Sequence, residues 1–183
     1  LPASSTWPGG IPPEVIAAGD TPAGKAEGIV ATEVGQGVSV MLRSSDPFTR
    51  WEQASVIRGA GKGTVSAVAY AALGDITASQ FQSLANIQRE LGADVRLSNR
   101  QNVVFRGLQE EQLRTLFDRL EAIEMARPGA ELARDVVACP GADTCNIAVT
   151  QSRGLAKAIG ERLEEEGLAE VGGVRINISG CTN

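Results

Sequence analysis

The chain has 183 residues, enough for one ordinary domain or two small ones, and its 43% hydrophobic content supports a packed core rather than disorder. A net charge of −5 argues against nucleic-acid binding, since no strong positive field is present to release counterions. The chain contains no histidine, which removes histidine-based zinc hydrolases, Ser-His-Asp triads and Cys-His nucleophile pairs, and no apolar run nears the roughly 18 residues of a membrane helix.

Redox or metal chemistry must therefore run through Cys139, Cys145 and Cys181. An odd count fits a closed disulfide framework poorly and suits free thiols or thiolate ligands in a reducing cytoplasm. The chain opens Leu1-Pro2-Ala3 without a basic-then-apolar leader, so we expect a removed N-terminus and no export signal.

Residues 1–46 are rich in Gly, Pro, Ala and Ser and read as a linker or irregular lead-in, with one candidate hairpin between Ile29 and Leu42. Thr64 to Leu73 predicts a strand closed by Gly74-Asp75. Thr77 and Gln80 have capping-box spacing, and Phe81, Leu84, Ile87 and Leu91 mark one face of a helix ending at Gly92. Two short strands, Asp94 to Leu97 and Asn102 to Phe105, flank Ser98-Asn99-Arg100-Gln101. A second amphipathic helix carries Leu113, Leu116, Phe117, Leu120 and Ile123. Strand, helix, two strands, helix is the skeleton of a split βαβ, ferredoxin-like sandwich, so the expected class is α+β.

Met125 to Leu132 reads as a loop. Beyond it a second unit is expected: a short strand Asp135 to Ala138, a turn at Cys139-Pro140-Gly141, a helix from Cys145 to about Glu166, and an alternating strand Val174 to Ile178. The expected division is 1–46, 47–125 and 126–183.

Cys139-Pro140-Gly141-Ala142-Asp143-Thr144-Cys145 places two thiols on a loop tight enough to hold one inorganic cluster. With Cys145 in the first turn of the following helix, unpaired N–H groups and the positive dipole end would favour thiolates. From spacing alone two buried structural cysteines are the plainer reading, since this is not a common zinc or ferredoxin signature. Gly180-Cys181-Thr182-Asn183 brings a third potential ligand from a different strand. The basic residues Arg96, Arg100, Arg106, Arg153 and Lys157 are either solvated surface charges or partners for a polyanion rich in carboxylates. Arg100 stands out because it lies in the crossing between two strands.

From Asp135 to Asn146 the sequence closely resembles the cluster motif of the sirohaem nitrite/sulfite reductase family, and Val174 to Asn183 resembles the approach to that family's second cysteine pair. That pair is spaced Cys-x-x-x-Cys, so the missing partner is expected two residues beyond Asn183. Gly74-Asp75-Ile76-Thr77 and Arg100-Gln101-Asn102-Val103-Val104 resemble the family's ferredoxin-like half-domain, and Phe48-Thr49-Arg50-Trp51-Glu52 the segment leading into it. The resemblance covers about Pro47 to Asn183.

The resemblance implies a C-terminal half cut at both ends: a ferredoxin-like half-domain followed by the start of a sirohaem and iron–sulfur haemoprotein domain. It implies a [4Fe–4S] cluster on Cys139, Cys145 and Cys181 plus a fourth cysteine bridging to sirohaem. Arg100, Gln101, Arg106, Arg153 and Asn183 are the candidate sirohaem-binding residues. The implied activity is six-electron reduction of nitrite to ammonia or sulfite to sulfide, with electrons from a ferredoxin or a reductase flavoprotein, in the cytoplasm and without a membrane. Two features depart from the family: the bridging cysteine is absent, and Tyr70-Ala71-Ala72-Leu73 lacks an arginine often found there. No catalytic residue is assigned. The alternatives are a non-catalytic iron–sulfur or zinc module, and a sirohaem-type enzyme of cobalamin synthesis.

Overall fold

The computed structural model describes residues 30–34, 37–41, 44–59 and 63–182. Strands β1 (Val30–Val34) and β2 (Gly37–Met41) form an antiparallel hairpin within the lead-in segment. Helix α1 (Pro47–Ser55) follows, which the sequence reading treated only as an approach segment. Its start has a plain cause. The Asp46 carboxylate accepts from the Thr49 N–H at 2.8 Å, and Pro47, which has no N–H to leave unpaired, occupies the first turn.

A four-stranded sheet is built from β3 (Val56–Arg58), β4 (Val65–Ala69), β5 (Asp94–Leu97) and β6 (Val103–Leu108). Its order is β3-β4-β6-β5, antiparallel throughout. Helix α2 (Ala78–Leu91) carries the chain from β4 to β5, leaving β6 between them, so the expected split βαβ is present. Helix α3 (Leu113–Glu121) follows β6. The fourth place in the sheet is filled from the N-terminal side by β3, an element the sequence reading did not anticipate. The β4–β6 register skips between Val65 and Ala67, where Gly107 at φ 73° supplies the left-handed conformation of a bulge.

The capping box at Thr77 and Gln80 forms as expected, and Gly92 closes α2 in the left-handed conformation. Of the predicted α2 face, Leu84 and Ile87 are buried, but Phe81 is 60% exposed. Gln80 instead faces the core side, donating to the Ile123 carbonyl at 2.9 Å, and one residue further the helix has turned by ~100°. The α3 face behaves as predicted: Leu113, Leu116, Phe117 and Leu120 are buried and Ile123 packs against them. The core then closes around Trp51 and Phe105, both fully buried. Trp51 and Phe48 each place a ring centroid 5.5 Å from that of Phe117, anchoring α1 on α3.

The remainder of the chain forms a lesser layer. Strands β7 (Val137–Ala138) and β8 (Asn177–Ile178) pair in parallel beneath helix α4 (Ser152–Glu165). Its core is small: Val136, Ala138 and Ala156, joined by Ile159, Ile176, Ile178 and, from the first unit, Leu73. Two expectations need correction. The helix expected from Cys145 begins only at Ser152, because the N–H groups of Val149 and Thr150 are taken by the Gly180 carbonyl and the Thr150 carbonyl by the Ala142 N–H. The strand expected from Val174 is paired only at Asn177 and Ile178, and Val174 is left 48% exposed.

Because Trp51 holds α1 to the core, Trp51→Ala should lower unfolding free energy by ~3–5 kcal/mol in urea titrations. A loss below ~1 kcal/mol would mean that α1 is not part of the cooperative core.

Candidate metal centre

Parallel pairing of β7 and β8 brings their C-terminal ends out on the same side. Cys139 follows β7 directly, and Gly180-Cys181 lie just beyond β8. The Cys139 N–H donates to the Ile178 carbonyl at 3.2 Å, continuing the ladder into the cysteine loop. In return the Gly180 N–H donates to Cys139 Sγ at 3.1 Å.

The loop and the turn touch closely enough to require glycine on both sides. Gly141 sits at φ 62°, and a Cβ there would overlap the Ser152 hydroxyl; a Cβ on Gly180 would lie 2.9 Å from the Gly141 Cα. Ser152, at the start of α4, is 1% exposed, with its Oγ 3.3 Å from Cys139 Sγ and 2.7 Å from the Cys139 carbonyl, to which it donates. The Ser152 hydroxyl and the Gly180 N–H together hold the Cys139 thiol below its ordinary range, against a smaller opposing effect of burial.

Cys145 is not in a helical turn. Its N–H donates to the Gly141 carbonyl at 2.9 Å in the loop that follows a 3₁₀ turn at Gly141–Asp143. Cys145 and Cys181, like Cys139, are free and half-buried. Among the described residues no three His, Cys, Asp or Glu side chains are grouped tightly enough to share one metal ion. The structure thus draws the backbones of both cysteine segments together without closing a three-ligand group.

The donor set consists of thiols with no imidazole, which matches the chemistry of an iron–sulfur cluster. Loop and turn together also offer a backbone N–H, that of Gly180, already aimed at the Cys139 sulfur, and glycines where a Cβ would collide.

The candidate anion-binding residues are placed differently. Arg100 is 4% exposed and spent within the protein: its Nε donates to Asp135 Oδ2 at 2.8 Å and a terminal nitrogen donates to the Asp135 carbonyl at 2.6 Å. Asp135, 3% exposed, also accepts from Asn102 Nδ2 at 3.0 Å and from the Glu131 N–H at 3.1 Å. Asn102 in turn accepts from the Ala71 N–H at 2.9 Å. Gln101, at φ 66°, reaches the Ala138 carbonyl at 3.4 Å. Arg153 pairs with Asp75 and donates to the Leu73 carbonyl at 3.4 Å. Arg106 lies on β6 beside Asp94, 3.7 Å away. Asn183 lies outside the described residues.

Arg100 therefore does not fit as a free carboxylate anchor, since a tetrapyrrole would have to displace a buried aspartate. Arg106 and Arg153 sit in solvent-facing pairs that exchange partners at little cost. The residues missed by sequence reasoning are Ser152 and Asn102, both polar and fully buried. Asn102 could have been suspected from its place at the head of an apolar strand. Ser152 carries no such signal. A cavity of about 800 Å³ lies away from the cysteines, bordered by Arg50, Tyr70, Leu73, Met125, Arg127 and Lys157 among others.

Removing the Asp135 carboxylate would take from the buried Arg100 its nearest charge partner, leaving it the residue-135 backbone carbonyl and the more distant Glu131 carboxylate at 3.8 Å. Asp135→Ala should therefore cost ~3–5 kcal/mol in chemical denaturation, and a cost below ~1 kcal/mol would contradict the buried pair. The Cys139 thiol carries a pH signature of its own. Its folded-state value is depressed, so the stabilisation is present above the ordinary thiol range and is lost as pH falls through the depressed value. Iodoacetamide labelling of Cys139, followed by peptide mass spectrometry, should reach half its maximal rate at a lower pH in the folded chain than in urea. An equal or higher midpoint would refute the hydrogen-bond assignment.

Comparison with known proteins supports the architecture. Residues 58–123 match the nitrite/sulfite reductase ferredoxin-like half domain. The chain is 33% identical over 112 residues to a ferredoxin–nitrite reductase of Synechococcus elongatus, a match covering 61% of this chain and 22% of that protein. The solved structure of the NirA protein of Mycobacterium tuberculosis superposes with a TM-score of 0.56 at 22% identity, over 70% of this chain and 24% of that one, a likeness of fold. The chain thus spans less than a quarter of the length of either relative. Through the match at residues 58–123, the chain is similar to members of the nitrite/sulfite reductase family.

Proposed function

We propose that this chain supplies the iron–sulfur side of a nitrite- or sulfite-reducing enzyme. Cys139, Cys145 and Cys181 would be three of the four ligands to a [4Fe–4S] cluster. The observation that carries the reading is the approach of the two cysteine segments, with the Gly180 N–H on Cys139 Sγ at 3.1 Å and glycines facing one another at the contact. Thiolate ligands with N–H donors are what such clusters require, because the donors offset part of the negative charge gathered on sulfur.

When bound, a cluster of this kind supplies single electrons, and sirohaem supplies the place where the anion is held. The activity proposed for the whole protein is six-electron reduction of nitrite to ammonia or of sulfite to sulfide. The cyanobacterial relative's name favours nitrite and a ferredoxin donor. The role assigned to this chain's residues is narrower: to bind the cluster, orient it and exclude water from the sulfurs. Arg153 is the best placed of the candidate arginines to meet a sirohaem carboxylate, since its present partner Asp75 is exposed. The division into a lead-in over 1–46, a half-domain over 47–125 and a cluster-bearing unit over 126–183 belongs to the same proposal. So does a cytoplasmic location, which suits the free thiols. Among the described residues no helix is long and apolar enough to cross a membrane.

The experiment is anaerobic reconstitution with iron and sulfide, followed by metal and acid-labile sulfide analysis. The parent chain should retain both elements after desalting, whereas Cys139→Ser and Cys145→Ser should lose most of each. Full iron and sulfide in either variant, or zinc bound without sulfide in the parent, would overturn the proposal.

A further inference from the structure

Ser152 is an unusual residue to bury completely. It is 1% exposed at the start of α4, where a solvent-facing serine would be ordinary. Its hydroxyl occupies the one point at which three backbone segments meet. It stands 3.3 Å from Cys139 Sγ and 2.7 Å from the Cys139 carbonyl, and both Gly141 and Gly180 lack the Cβ that would crowd it. At Gly141 the overlap would be direct; at Gly180 a Cβ would come within 3.3 Å of Ser152 Oγ. The glycines therefore leave room for this hydroxyl as well as for one another.

A metal-bound Cys139 has no proton to give. In that state the contact between the hydroxyl and the sulfur has only one possible donor, Ser152, which would share its proton between Sγ and the carbonyl. Together with the Gly180 N–H at 3.1 Å, the sulfur then receives two donors from opposite segments. Adding one electron to a cluster increases the negative charge on its thiolates, and donors directed at a sulfur stabilise the reduced form more than the oxidised one.

We propose that Ser152 is a positioning residue for Cys139: its buried hydroxyl, acting beside the Gly180 N–H, raises the reduction potential of the cluster held there. The inference rests on the cluster reading above. A role confined to holding the Cys139 carbonyl would affect folding or iron retention, but would leave the potential of a fully loaded site unchanged.

The test is a dithionite redox titration, followed by electron paramagnetic resonance, of the full chain reconstituted with iron and sulfide, in the parent, Ser152→Ala and Ser152→Thr. Ser152→Ala should keep its iron and sulfide and shift its midpoint potential downward, while Ser152→Thr, which keeps the hydroxyl, should stay close to the parent. An unchanged potential in fully loaded Ser152→Ala would overturn the tuning role and leave the cluster reading standing. Loss of iron or of native far-UV circular dichroism in Ser152→Ala would reduce Ser152 to a structural support and overturn the proposal as well. A parent chain that retains no iron and sulfide would overturn the cluster reading and this inference together.

Discussion

The Asp135 carboxylate is the tie on which the arrangement depends. It lies just before β7, and it accepts from Arg100 and Asn102 at the β5–β6 turn and from the Glu131 backbone. Through these bonds the ferredoxin-like sheet grips the segment that leads into Cys139. Such a pair is no guarantee of stability, because desolvating two charges costs about as much as their attraction returns. Its value is directional: a buried aspartate with several donors is satisfied in one geometry only, and that geometry sets the start of β7. The neighbouring contacts reinforce the seam, with Gln101 reaching the Ala138 carbonyl and Tyr70 donating to the Arg134 carbonyl at 3.2 Å.

From β7 the consequence passes to the cysteines in two short steps. β8 pairs with β7 in parallel, so the residues after each strand emerge side by side. Facing glycines then let the loop after Cys139 and the turn before Cys181 approach until an amide meets a sulfur. The small core of this layer, with few large side chains, gives it little independent support. Its order comes from the seam below and, on the proposed function, from metal binding above, where binding energy is also folding energy.

Much of the first unit was legible in the sequence. Threonine and glutamine three apart, apolar residues at helical spacing in α3, and Gly92 after α2 each have a local physical meaning, and each appears where expected. Helix α1 escaped notice because its only large buried side chain is Trp51, too little for a periodic pattern, and β3 because three residues carry no alternation. The second unit was harder to read. Val149 and Thr150 could have continued a helix, and what prevents it is the Gly180 carbonyl some thirty residues away, an interaction that no local pattern announces. The cysteine spacing singled out one loop and one turn, and the structure brings the backbones of the two into contact. The fate of Arg100 could not be read, since a buried arginine and a ligand-facing one look alike in sequence until the partner aspartate is placed. Leu73, Gln101 and Glu131, non-glycine residues at positive φ along the seam, are likewise a product of tertiary contacts.

The central claim is that the two cysteine segments form one polynuclear iron–sulfur site. Mössbauer spectroscopy of the chain reconstituted with 57Fe addresses it most directly. The account predicts magnetically coupled, sulfur-ligated iron in a multi-iron cluster. A spectrum of isolated ferrous or ferric ions, each in its own thiolate site, would contradict it.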